Sequence, residues 1–167
     1  NPEMEAEGHY VKLNVEKYGG MLCAPWFDRP LSVAGRLVVK EGNQIVTKLV
    51  DVKKDLVMIP SLAIHMNRDA NNGVKFNPQK DLLPLYGDET AKGTFMARIA
   101  ELAGVTENDI LAHDLYVYSR TPGSVWGASE EYISCGRLDD LQCAFSSLEG
   151  FLHAKDGESI PLHCVFD

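Results

Sequence analysis

Residues 35–52, "GRLVVKEGNQIVTKLVDV", hold two β-branched runs on either side of the polar interval "KEGNQ". Valine, isoleucine and threonine carry two heavy atoms on Cβ, which stiffens χ1 and favours extended backbone. A short glycine-containing interval between such runs turns the chain back on itself. The stretch predicts a β-hairpin, and with the alternating "HYVKLNVEKYG" before it, the first half of the chain is expected to be antiparallel sheet.

Further along, "LVMIPSLAIHMNR" is apolar until it turns polar at His65, and "DANNGVKFNPQKDLLPLYGD" is dense in Asn, Gly, Pro and Asp, the composition of a long loop region. Residues 90–103 space Phe95, Met96, Ile99, Ala100, Leu102 and Ala103 on one helical face, and Gly104 follows as a stop. A second short helix is expected near "TENDIL", with Thr106 as N-cap and Asp109 where a capping box carries Glu or Gln. "HDLYVYS" reads as a strand. After the loop "RTPGSVWGASEEY", Leu141, Phe145, Leu148 and Leu152 give helical spacing over residues 139–154, and "SIPLHCVFD" reads as a strand. A helix followed by a strand points to a βαβ element at the end, unlike the antiparallel beginning. The fold class is therefore α+β: a β-rich antiparallel domain with peripheral helices over residues 1–135, then a helix-strand piece of an α/β domain over 136–167.

Composition narrows the functions. A net charge of −8 and a pI near 5.1 leave no basic stripe for a phosphate backbone, so no nucleic-acid partner is expected. No apolar run approaches the roughly 18 residues of a membrane span, and "NPEMEAEGHY" is acidic where a secretion signal is basic. Cys23, Cys135, Cys143 and Cys164 show no C-x-x-C pairing, which fits reduced thiols in the cytoplasm.

Chemistry-bearing residues are sparse. His9, His65, His113, His153 and His163 are scattered, without the H-E-x-x-H spacing that puts two zinc ligands on one helical face. Glu130 and Glu131 form an adjacent acid pair in a Gly/Ser-containing loop, the setting of solvated carboxylates. G-x-S-x-G, P-loop and G-x-G-x-x-G motifs are absent, so serine-hydrolase, NTPase and dinucleotide readings lack their mechanical parts. Asp139 and Asp140 stand where a loop becomes a helix. Acids there favour the positive end of the helix dipole, and an Asp in that place is equally suited to holding a metal.

The strings "YGGMLCAPWFDRPLSVAGRLVV", "IPSLAIHMNR", "FNPQKDLLPL", "DLYVYSRTPGSVWGASEEYI" and "RLDDLQCAFSSL" together resemble the aspartyl aminopeptidase and aminopeptidase I family of co-catalytic zinc exopeptidases. The likeness runs in order over nearly the whole chain, and "WFDRPLSVAGR" and "LAIHMNR" are its most specific parts. The resemblance implies that Asp139, in Arg137-Leu138-Asp139, is the carboxylate bridging two zinc ions. Asp140 stands where many members have Asn, which implies a capping or supporting task beside the metal. It implies that His65 reaches the neighbouring subunit's active site to contact the substrate or tetrahedral intermediate.

By the same resemblance, residues 1–135 are the insertion domain that pairs subunits into dimers, which build a dodecamer, and 136–167 are the return of the catalytic domain. The family's first histidine ligand would lie before Asn1, and its glutamates and further ligands beyond Asp167. The chain is therefore expected to be an internal piece of a zinc aminopeptidase that removes N-terminal residues, acidic ones included, from peptides. Alone it is expected to be inactive and to hold no zinc stably. The competing reading is a standalone oligomerisation module without chemistry.

Overall fold

The computed structural model describes residues 1–155 and 157–166. They form two compact units, one running Asn1–Arg120 and one from Thr121 onward. This division lies ahead of the boundary at 135 that the sequence patterns give. The first unit contains, in chain order, β1 (Glu3–Ala6), β2 (Tyr10–Leu13), β3 (Leu31–Glu41), β4 (Gln44–Asp51), the single-turn α1 (Pro78–Asp81), β5 (Leu85–Asp88), α2 (Phe95–Ala103) and β6 (Ile110–Ser119). The second contains β7 (Ser124–Trp126), β8 (Tyr132–Ser134) and α3 (Leu138–Leu152).

The predicted hairpin is β3 and β4, paired antiparallel from Glu41↔Gln44 out to Ala34↔Asp51. β3 is long enough to serve two partners, and β6 pairs antiparallel along its other edge in the order β4-β3-β6. Side chains alternate along a strand, so Leu31, Val33, Leu37 and Val39 share one face, and all four are buried. They pack in one cluster with Val50 of β4 and with Phe95 and Ile99 of α2. Each such side chain removed from water contributes about 1.5–3 kcal/mol.

Gly35 sits in the middle of that row, where a Cβ would stand 2.0 Å from the carbonyl oxygen of Asp114 on β6. Only a residue without a side chain lets the two backbones come that close. Gly35→Ala is therefore expected to destabilise the first unit by about 1–3 kcal/mol, the usual cost of overpacking. Calorimetry would read this as a lower melting temperature, and an unchanged value would show that β6 can move away without cost.

Helix α2 starts at Phe95, later than the residue 90 suggested by its spacing, because Gly93 takes a left-handed φ of 76° and interrupts the run. It ends as its sequence predicts, with Gly104 at φ 67° in the C-cap position. The Lys48 ammonium donates to the Ala103 carbonyl (3.1 Å), placing a cation on the negative end of the helix. The other end is capped from far away in sequence. One Glu3 carboxylate oxygen accepts the Gly93 N–H (2.5 Å) and the other the Phe95 N–H (2.7 Å), satisfying donors that a helix start leaves open. An ion pair between Glu5 and Lys92 (2.6 Å) lies beside this cap.

The expected capping box at Thr106 is present, but it closes a single 3-10 turn, Glu107–Asp109. The Asp109 carboxylate accepts from the Thr106 hydroxyl (2.7 Å) and N–H (3.0 Å), which holds its carboxyl below the usual range. The loop-like stretch after residue 69 contains a strand that composition hides: β5 pairs antiparallel with β2, which pairs in turn with β1.

In the second unit β7 and β8 form an antiparallel hairpin with Trp126 and Tyr132 in ring contact, centroids 4.8 Å apart. Helix α3 covers nearly the predicted stretch. The strand expected at "SIPLHCVFD" requires correction: residues 157–166 form no strand, and Asp167 lies outside the described residues. A strand exists through a paired neighbour, and apolar alternation does not supply one. His163 instead meets the Ser147 hydroxyl of α3 (2.9 Å) and the Phe151 ring (centroids 5.6 Å apart). No helix among the described residues is long and apolar enough to cross a membrane.

Candidate functional site

After the short bridge-forming stretch Val57–Ile59, the chain leaves the first unit's sheets for a long excursion that includes a 3-10 turn at Ala70–Asn72 and ends at α1. His65 lies on this excursion, in a turn closed by Met66 N–H to Ala63 O (2.8 Å) and by Asn67 N–H to the carbonyls of Ala63 (3.2 Å) and Ile64 (3.3 Å). The imidazole is exposed, and so are its apolar neighbours Leu62, Ile64 and Met66. His65 therefore sits among exposed apolar side chains on the surface of the first unit.

The start of the excursion is fixed by Asp28. Its N–H donates to Ile59 O (3.0 Å), and its two carboxylate oxygens accept the Ser61 N–H (2.8 Å) and the Ser61 hydroxyl (2.6 Å). The hydroxyl contact first, and the backbone N–H second, hold the Asp28 carboxyl below the usual carboxylate range. Asp28 adopts a left-handed φ of 56°, a conformation that Asp tolerates better than most side chains because it can hydrogen-bond locally.

Asp139 and Asp140 stand together in the second unit at the opening of α3. Arg137 takes a left-handed φ of 65°, and Asp139 keeps extended angles (φ −88°, ψ 110°) inside the helix's bounds, so regular helix begins only after it. The Asp139–Asp140 peptide is cis. Both carboxylates are exposed and make no hydrogen bond or ion pair among the described residues.

Of the remaining acids and histidines, Glu131 turns back within the β7–β8 loop to accept the Ser129 N–H (2.8 Å). This ties Glu131 to the turn. His153 contacts the Glu149 carbonyl one turn back on α3 (2.9 Å). A catalytic zinc takes three protein ligands, and among the described residues no three His, Cys, Asp or Glu side chains form a group that could hold a metal. Sequence reading singled out His65 and Asp139 through their motifs and not Asp28, whose partner Ser61 is 33 residues away. The signal was in "WFDRP" and "IPS", but only the fold joins them.

Residues 1–167 match the family model described as "Aminopeptidase I zinc metalloprotease (M18)". A protein of Clostridium acetobutylicum described as "Probable M18 family aminopeptidase 2" is 42% identical over 174 residues, covering 100% of this chain and 40% of that one. The chain thus spans 40% of the length of this curated relative. Among solved structures, Chaetomium thermophilum mApe1 matches with a TM-score of 0.79 at 28% identity, over 95% of this chain and 39% of that chain. The S. cerevisiae mApe1 dodecamer matches with a TM-score of 0.67 at 27% identity, over 88% of this chain and 33% of that chain.

Proposed function

The chain belongs to the aminopeptidase I zinc metalloprotease (M18) family, and from that premise we propose that it is the part of a zinc aminopeptidase that pairs subunits and carries His65 and Asp139 to the active sites. In the complete enzyme, residues 1–135 are the pairing domain and 136–167 the start of the catalytic domain. Peptides are the substrates and N-terminal residues, acidic ones included, are what is removed. Asp139 is one ligand of a two-zinc site whose other ligands lie outside this chain, Asp140 supports it, and His65 serves the neighbouring subunit's site. Dimers of this kind assemble further, to a dodecamer. Four unpaired cysteines support a reducing, cytoplasmic setting.

The observation that carries the pairing is the outer face of the β4-β3-β6 sheet. The face opposite the core carries Ile45 and Leu49 of β4, Val38 of β3 and Tyr116 of β6, and Ile45, Leu49 and Tyr116 are 70%, 84% and 56% exposed. In its middle, Arg36 and Asp114 are paired at 2.7 Å and still largely open, so the face offers both signs of charge. A surface that is apolar with a paired plus and minus at its centre is complementary to a copy of itself turned by a twofold axis.

The 167-residue chain is therefore expected to scatter light as a dimer, and Leu49→Glu with Ile45→Glu to scatter as a folded monomer. A wild-type chain that stays monomeric at high concentration would remove the pairing role. For the complete enzyme, kinetics on a panel of aminoacyl substrates would test the activity and its residue preference; turnover of none of them would sink the peptidase reading.

A further inference from the structure

The segment "WFDRP", Trp26 to Pro30, carries none of the roles proposed above, yet its side chains meet both ends of the His65 excursion. At the departing end, Asp28 holds Ser61 by two hydrogen bonds of 2.8 and 2.6 Å and Ile59 by its own N–H, and Phe27 forms a parallel bridge with Ile59. At the returning end, the Phe27 ring stacks on Phe76, with centroids 4.8 Å apart and planes 26° from parallel. Between these points the backbone hydrogen bonds of residues 63–72 are local: Met66 and Asn67 to Ala63, Ala70 to Asn67, Asn72 to Asp69. Such a segment can hold its own turns, but its direction is set where it is fastened.

We infer that Asp28 is a positioning residue for His65, which with Phe27 fastens both ends of the 60–76 excursion and so fixes where the imidazole is presented. The inference rests on the proposed role of His65. Ser61 is four residues before His65, and the turn beginning at Ala63 follows directly, so a change at the Asp28 fastening is carried to the imidazole with little slack. Misplacement of about 1 Å is enough to cost roughly 100-fold in rate when a group must meet a developing charge. Asp28 touches neither substrate nor metal in this reading and acts only through the loop.

The test is a double-variant cycle in the complete enzyme, with kcat, KM, zinc content and oligomeric state measured for each form. Asp28→Ala is expected to lower kcat by about 10–100-fold while KM changes by less than about threefold. Asp28→Asn keeps an acceptor for the Ser61 N–H and should retain more activity than Asp28→Ala. The discriminating form is Asp28→Ala combined with His65→Ala. With no imidazole left to position, Asp28→Ala should cost less than about twofold in that background. Losses that multiply would overturn the inference, since Asp28 would then be acting on the enzyme at large. If His65→Ala is impaired and Asp28→Ala is not, the positioning role fails and the His65 role survives. If His65→Ala leaves kcat unchanged, the His65 role fails and the positioning role falls with it. Should Asp28→Ala not assemble, Ser61→Ala removes one hydrogen bond only, and a smaller loss that also vanishes without His65 is the expected result.

Discussion

Replacing Asp139 by alanine in the complete enzyme is expected to remove both hydrolysis and bound zinc, while the same change at Asp140 leaves a working enzyme. The two residues are neighbours with the same charge and both are exposed, so charge near the start of α3 does not distinguish them. The proposed roles do. A carboxylate shared by two metal ions has no substitute, because each ion is left short of a ligand and the pair that would polarise the scissile carbonyl and activate a water is lost. A supporting residue typically costs about 10–100-fold in metal affinity or activity. Asp140→Ala should stay within that range and Asp139→Ala should fall well beyond it. Metal analysis alongside kcat/KM is the measurement. Equal losses at the two positions, or full zinc content in Asp139→Ala, would show that the bridging carboxylate has been assigned to the wrong residue.

His65→Ala gives the second large effect and acts differently. If His65 hydrogen-bonds charge that develops on the tetrahedral intermediate, its removal costs transition-state stabilisation more than substrate binding. The expected loss in kcat is on the order of 10²–10³, as for one oxyanion donor, with a smaller change in KM. Zinc content should be unaffected. Action across a dimer adds a stricter measurement. Mixing subunits bearing His65→Ala with subunits bearing Asp139→Ala should restore part of the activity, because one site of the mixed dimer has an intact Asp139 and receives an intact His65 from its partner. The other site carries both lesions. If subunits demonstrably exchange and the mixture remains as inactive as its parents, His65 does not serve the neighbouring site.

What the sequence made legible follows the range of the forces involved. The β3–β4 hairpin could be read directly, since stiff β-branched runs and a glycine-containing turn are neighbours in the chain. So could the end of α2 at Gly104 and the Thr106–Asp109 box, each a local device. β1 and β5 could not. Each is four residues long and exists through its pairing with β2, and composition around β5 reads as loop. The strand expected at "SIPLHCVFD" shows the converse, an apolar pattern that forms no strand over residues 159–166. At the candidate site, His65 and Asp139 were legible as members of motifs, whereas the Asp28–Ser61 contact was not, because no periodicity connects an aspartate in one irregular segment to a serine in another.

The Glu3 cap on α2 joins positions 90 and 92 residues apart, and that separation sets an order of events during synthesis. Ribosomes add about 5–20 residues per second, so Glu3 waits roughly 5–20 s before Gly93 and Phe95 exist. Throughout that interval β1 and β2 can pair with each other but have neither β5 nor α2 to hold them, and a lone two-stranded pairing is marginally stable in water. The β3–β4 hairpin, complete within its own short stretch, can form meanwhile. The Glu3 carboxylate therefore works as a clasp closed from behind, which shuts only once the helix it fastens has been made.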